Sequence, residues 1–186
     1  RAGNRATAEM NAEVARAAPT FSAADRVSVD QIGDGMMKFA VERGVVDALV
    51  SNSGAIAAQG GQVQLEGASL SSTLSTVVNQ TGTVRANALE QVGGKILLRA
   101  QGGDVQQAGT VEANGQGSQG QGGQVKLLGE RVGLQAGSVT SASGDAQGGT
   151  VLVGGGYQGH GEVQNSSYTQ ADRGSVVDVS AGAQGK

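Results

Sequence analysis

Two short glycine-led motifs alternate along this chain at a nearly constant interval, and that repetition restricts the fold more than any other feature. The first reads Gly-Gly-x-[Val/Ile]-x-[Leu/Val] and stands at 60–65, 93–98, 122–127 and 148–153. The second reads Gly-[small]-[Ile/Val]-x-[small] and stands at 54–58, 82–86, 109–113 and 137–141, with a looser copy at 174–178. Two alternating motifs in fixed order, returning about every 28 residues, predict an all-β parallel solenoid with one repeat per coil. Five or six such coils, each rising ~4.8 Å, would make a rod of roughly 25–30 Å.

Side chains alternate across a strand, so stacked coils should align equivalent positions into columns. The expected interior columns are Val63, Ile96, Val125 and Val151; Leu65, Leu98, Leu127 and Val153; and Ile56, Val84, Val111 and Val139. An outward hydroxyl column should hold Thr83, Thr110, Ser138 and Ser175. Before the second motif, Asn52, Gln80, Gln107 and Gln135 form either a hydrogen-bonded amide ladder or a solvated polar turn. The glycines are expected at sharp corners that need φ > 0. Composition agrees with a narrow aliphatic interior: there are 33 glycines, one proline, no tryptophan, two tyrosines and two phenylalanines. So much glycine and glutamine also suits a disordered chain, but the regularly placed β-branched residues argue against that.

The composition also removes several function classes. A net charge of −3 and a pI near 5.1 leave no basic surface for nucleic acid. The sequence contains no cysteine, which excludes disulfides and thiolate metal or redox centres. No apolar run approaches the ~18 residues of a membrane-spanning helix. No cofactor is expected. Arg1 in place of Met, without a visible signal peptide, predicts a piece of a longer protein.

Two regions follow from the patterning. Residues 1–25 form a lead-in, with an alanine-rich stretch at 7–18 that reads as a short helix ending before Pro19, or as disorder. Residues 26–186 form the solenoid. Alternation starts at 26–30 and returns at 36–41 after Gly33-Asp34-Gly35, and 45–50 reads as a helical turn or a strand. Residues 113–121 read as a loop, and 154–167 as a longer excursion from the last coil.

Candidate sites are few. A polysaccharide lyase on such a scaffold needs stacked acids to hold calcium beside a base, and the outward columns Gln62/Lys95/Gln124/Thr150 and Gln64/Leu97/Lys126/Leu152 supply none. No catalytic or metal residue is therefore assigned, and a β-helical polysaccharide-degrading enzyme is the least favoured reading. Arg85 and Glu112 fall at equivalent positions and predict an exposed ion pair. His160, the single histidine, reads as a surface loop residue. Tyr157, His160 and Tyr168 gather around the excursion as a candidate glycan contact, against the alternative that Tyr157 caps the coil's edge. Asn79 and Asn165 begin Asn-x-[Ser/Thr] sequons and are candidate glycosylation sites.

The order of motifs resembles the filamentous-haemagglutinin family, the exoproteins (adhesins) of bacterial two-partner secretion. The resemblance runs through Ile32-Gly33-Asp34-Gly35-Met36-Met37, the stretches 46–58 and 60–63, the stretch 77–86, and 148–159 ending in Gly155-Gly156-Tyr157-Gln158-Gly159. It covers about residues 26 to 182. It implies a right-handed parallel β-helix, export by an outer-membrane two-partner secretion transporter, and a secreted or cell-surface location. The implied role is a structural rod segment in cell-surface, cell–cell or matrix attachment and biofilm formation. Implied partners are a host-cell receptor, a glycan or a biofilm exopolysaccharide. The alternative is a glycan- or exopolysaccharide-binding module that uses the 154–167 excursion. Some relatives are glycosylated by a cytoplasmic enzyme, which bears on Asn79 and Asn165. The family's Asn-Pro secretion motifs are absent, and Gly156 stands where many relatives carry Asp.

Overall fold

A computed structural model describes residues 50–67, 77–89 and 92–182 with their side chains; at 6–7, 20–22, 26–32, 36–42, 49, 68 and 76 it describes backbone only. The strands in chain order are β1 (Ala6–Thr7), β2 (Thr20–Ser22), β3 (Arg26–Ile32), β4 (Met36–Glu42), β5 (Leu49–Asn52), β6 (Ala55–Ala57), β7 (Gln62–Ala68), β8 (Thr76–Gln80), β9 (Thr83–Arg85) and β10 (Ala88–Leu89). They continue as β11 (Lys95–Gln101), β12 (Asp104–Gln107), β13 (Thr110–Glu112), β14 (Gly115–Gln116), β15 (Gln124–Leu128), β16 (Arg131–Leu134), β17 (Val139–Ser141), β18 (Thr150–Val153), β19 (Tyr168–Ala171) and β20 (Val176–Asp178). The described residues include no α-helix, only a 3-10 turn at Tyr157–Gly159.

The protein is all-β, and its strands collect into stacked sheets. One sheet runs β1-β2-β5-β8-β12-β16-β19, a second β3-β4-β7-β11-β15-β18, a third β6-β9-β13-β17-β20, with a small pair β10-β14. From β4, β5 and β6 onward every pairing in the three large sheets is parallel. Each sheet gains one strand per pass of the chain. Side chains that meet across passes are 28 residues apart for Asn52 and Gln80, and 27 apart for Arg85 with Glu112 and Asp104 with Arg131. This arrangement is compatible with a solenoid. Only the first strands pair antiparallel: β1 with β2, β2 with β5, and β3 with β4.

The alternation places the core as expected in the glycine-pair strands. In β11, Ile96, Leu98 and Ala100 point inward and are fully buried, while Lys95 and Gln101 are exposed. Val63, Ile96, Val125 and Val151 lie in register, as do Leu65, Leu98, Leu127 and Val153. Burial of each such side chain contributes about 1.5–3 kcal/mol.

Two expected columns shift by one residue, and one shared corner explains both. Ile56, Val84 and Val111 align, but their next partners are Thr140 and then Val177, not Val139. The outward column continues from Thr83 and Thr110 to Val139 and Val176, not to Ser138 and Ser175. Lower in the stack the corner before this sheet is two residues, such as Ala108-Gly109. Beside β17 it lengthens to Gln135-Ala136-Gly137-Ser138, and beside β20 to Asp172-Arg173-Gly174-Ser175. The longer corner is a hydrogen-bonded turn: the Ser138 N–H donates to Gln135 O and the Ser175 N–H to Asp172 O, both at 3.0 Å. Gly137 and Gly174 take φ of 79° and 90° there, and the residue opposite Gly109 is Ser138, not Gly137.

The paired glycines have a different cause from the corner glycines. Neither Gly94 nor Gly123 has positive φ. A Cβ on Gly94 would run into the Gly61 carbonyl oxygen, and one on Gly123 into that of Gly94. The backbone here is packed directly on the pass beneath, with the Lys95 N–H donating to Gly61 O at 2.9 Å and the Gln124 N–H to Gly94 O at 3.0 Å.

The amide column lies inside the protein. Asn52, Gln80 and Gln107 align and are fully buried, which excludes a solvated turn; their partner in β16 is Leu134, so Gln135 does not belong. The Asn52 Nδ2 donates to Gln80 Oε1 at 2.8 Å. The Gln107 Nε2 donates to the carbonyls of Gly109 and Val139, each at 3.1 Å. Gln80 Nε2 and Gln107 Oε1, a donor and an acceptor on neighbouring rungs, lack partners.

In the lead-in, Ala6–Thr7 and Thr20–Ser22 are strands, and residues 8–19, which include most of the expected helix, lie outside the described residues. β3 and β4 form an antiparallel pair about residues 33–35, also outside them. The 45–50 segment ends in β5, its earlier part lying outside the description. The 113–121 loop contains β14 and a turn closed by the Gly120 N–H on Gly117 O at 2.8 Å. At the far end of the stack Val151 and Val153 are half-buried, and Val176, Val177 and Val179 are 48, 47 and 46% exposed.

Candidate functional site

The sheet containing β12, β16 and β19 carries the most chemically varied surface. Arg131 and Tyr168 pair on β16 and β19 and Arg131 reaches Asp104 at the start of β12, while Gln106, Gly133 and Gln170 form the next outward column. Gln135 and Asp172 stand in the adjoining corners. Together with Val132 these residues line a groove of about 340 Å³.

Asp104 anchors the arrangement. Its side chain is 7% exposed, against 53% for Arg131. The Arg131 Nε lies 3.1 Å from both carboxylate oxygens and its Nη2 2.8 Å from Oδ2. This hydrogen bonding, helped by the coulombic attraction of Asp104, raises the Arg131 pKa further above its ordinary value, so the guanidinium is charged at any working pH. A guanidinium held on one edge is fixed in orientation while half of it faces solvent.

A second chain of contacts runs along β19. The Tyr168 hydroxyl donates to Gln170 Oε1 at 3.0 Å, and Gln170 Nε2 donates to Asp172 Oδ1 at 2.6 Å. The Tyr168 ring is 56% exposed. Across the groove Gln135 Nε2 bonds Gln106 Oε1. Gly133, between the two glutamine rungs, is buried beneath this amide pair, and a Cβ there would meet only the ends of the Gln106 and Gln135 side chains.

The three residues expected at the excursion are placed as follows. Tyr157 and His160 share one turn, the His160 N–H donating to Tyr157 O at 3.0 Å, while Tyr168 lines the groove and neither of the other two does. Tyr157 is 82% exposed, so its ring does not cap the edge of the stack. His160 is an exposed loop residue. Asn165 is exposed and pins this loop: its Oδ1 accepts from the Gly156 N–H at 3.2 Å and its Nδ2 donates to Gly159 O at 2.8 Å. Asn79 is half-buried in β8, on the same outward column as Gln106. Arg85 and Glu112 form the expected ion pair at 2.7 Å.

Two other depressions offer less. One, of about 530 Å³, lies beside Arg85, Asn87 and Leu89, with Arg85 held by Glu112 and the Asn87 Oδ1 accepting from the Asn114 N–H. The other, of about 270 Å³, lies over Lys95, Lys126 and their neighbouring glutamines. Among the described residues no three His, Cys, Asp or Glu side chains are grouped to hold a metal ion, and no helix is long and apolar enough to cross a membrane.

Comparison with protein-family models and with curated proteins finds no match to this chain.

Proposed function

We propose that the chain is a stretch of right-handed parallel β-helix, about 28 residues per coil, serving as a rod segment of a secreted bacterial surface adhesin of the filamentous-haemagglutinin type. The observation that carries the reading is the parallel extension of three sheets, with side chains 27 or 28 residues apart meeting at several contacts and strand registers 26 to 37 residues apart overall. A parallel strand connection in one sheet is right-handed in nearly all proteins, which supports the handedness. Such a stack gains length in proportion to chain, which suits a protein that must hold contacts away from a cell surface. The motif order at 32–37, 46–58, 77–86 and 148–159 supports the family, and with it export through an outer-membrane two-partner secretion transporter. In this reading the walls carry no reaction, and attachment to another cell, a matrix or a biofilm is the activity of the whole rod.

The test is on intact cells of the source bacterium. Antibodies raised against this chain should label unpermeabilised cells or their medium, and their Fab fragments should reduce attachment to surfaces or to other cells. Labelling only after permeabilisation would overturn the proposal.

A further inference from the structure

We propose that the groove over β12, β16 and β19 is a binding site for a neutral polysaccharide, with Tyr168 as the stacking platform and the Gln106–Gln135 amide pair, seated over Gly133, as the floor of the subsite. The inference goes beyond the rod reading and does not depend on it, since it rests on the side chains of one face. It also differs from a site on the 154–167 excursion, because Tyr157 and His160 are outside the groove.

Three features select the ligand. An aromatic face that is 56% exposed, in a protein with two tyrosines, offers the apolar surface on which the C–H face of a pyranose packs. Around it converge the amides of Gln106, Gln135 and Gln170, the Arg131 guanidinium and the Asp172 carboxylate. These supply donors and acceptors side by side, the pairing that adjacent sugar hydroxyls require, since each hydroxyl both donates and accepts. The guanidinium is fixed by a buried carboxylate, so little ordering remains to be done on binding.

Charge decides between neutral and anionic chains. The groove contains one cation, Arg131, and two carboxylates, Asp104 and Asp172, so its formal charge is negative and the cation is already paired. A sulfated or uronate polymer would meet Asp172 without a free cation to balance it.

Affinity electrophoresis of the whole chain tests this directly. Gels would contain hydroxyethylcellulose, dextran or galactomannan as neutral probes, and polygalacturonate or heparin as polyanions. At least one neutral polymer should retard the protein. Tyr168→Ala and Gly133→Val should each weaken that retardation by ~10-fold or more, the loss expected on removing an anchoring contact or displacing the amide pair that floors the site. Gly133 lies in a strand and meets only flexible side-chain ends, so the valine variant should fold, as circular dichroism would check; Gln170→Ala is the substitute if it does not. Tyr157→Ala should leave retardation unchanged. Retardation by none of the neutral polymers, retardation by the polyanions alone, or retardation that survives both groove variants would each overturn the site. Loss with Tyr157→Ala in place of Tyr168→Ala would move it to the excursion and overturn it equally. None of these outcomes bears on the surface-labelling experiment above.

Discussion

Replacing Gly94 by alanine should damage this fold far more than the same change at Gly133 or Gly137, and the three sites isolate three different reasons for a glycine. At Gly94 the new methyl would collide with the Gly61 carbonyl oxygen, and it would lie 2.8 Å from the Ala86 Cβ and 2.9 Å from the Ala86 carbonyl. Backbone surrounds it on both sides, so relief requires the passes to separate. Separation stretches the bond from the Lys95 N–H to Gly61 O, at 2.9 Å, and moving the methyl off Ala86, on the same pass, stretches the bond from the Gly94 N–H to Ala86 O, at 2.6 Å. Each buried amide left unpaired costs about 1–3 kcal/mol, and overpacking adds about 1–3 kcal/mol. The reduced freedom of the unfolded chain returns about 0.4–1 kcal/mol. The expected loss is above about 3 kcal/mol, or a urea midpoint lowered by about 1 M or more. Gly137→Ala meets no atom within 4 Å but must hold φ near 79°, a conformation costing an L-residue about 1–2 kcal/mol. Gly133→Ala pushes only on amide tips and should stay within about 0.5 kcal/mol. Urea titration followed by circular dichroism measures all three. If Gly94→Ala is as mild as Gly133→Ala, or milder than Gly137→Ala, direct backbone stacking is not what requires glycine in the paired motif.

Leu98→Ala, in the centre of the column between Leu65 and Leu127, should cost about 2–5 kcal/mol, while exposed Lys95→Ala should stay within about 0.5 kcal/mol in the same titration. Deleting residues 84–110 joins Thr83 to the residue after its own register partner, Thr110, and should leave a shorter protein that still unfolds cooperatively; deleting 84–97 should not. If both deletions behave alike in thermal melts, the passes are not interchangeable units. The Asp178 carboxylate accepts the Ser180 N–H at 2.9 Å, and this bond holds its pKa below the ordinary carboxyl value. Its stabilisation is therefore present above about pH 4 and lost as pH falls through the lowered folded value. Asp178→Asn should lower the denaturation midpoint at pH 7 and narrow the gap from wild type at pH 2; a gap that is constant with pH would contradict this.

Much of the stack could be read from residue order alone. The columns through Val63 and Leu65 were legible because a two-residue alternation and a glycine pair fix both face and register. Val139 and Ser138 were misplaced because a glycine marks a corner without stating its length, and the corner doubles at Gln135–Ser138. The sheet that carries the groove has no glycine signature. Its nearest signal is a valine two residues before a buried terminal residue: Val50 before Asn52, Val78 before Gln80, Val105 before Gln107 and Val132 before Leu134. The groove itself was invisible, since Asp104, Arg131 and Tyr168 share no sequence pattern and meet only through register. The close backbone contact at Gly94 was likewise hidden, because a glycine needed for proximity and one needed for positive φ are the same letter.

The near-constant separation of stacked partners also bears on how quickly such a protein can form. A chain closing a loop loses entropy that grows with the logarithm of loop length. The loop to be closed is 27 or 28 residues where Asn52 meets Gln80, Arg85 meets Glu112 and Asp104 meets Arg131, and it reaches 37 where Arg131 pairs with Tyr168. Because the cost is logarithmic, the entropic barrier to each new layer is nearly the same as for the one before, and the antiparallel β3–β4 pair supplies a first surface whose own closure is short. Assembly time should then rise linearly with the number of layers, as in zipping, and not steeply as in folds where distant ends of the chain must find each other.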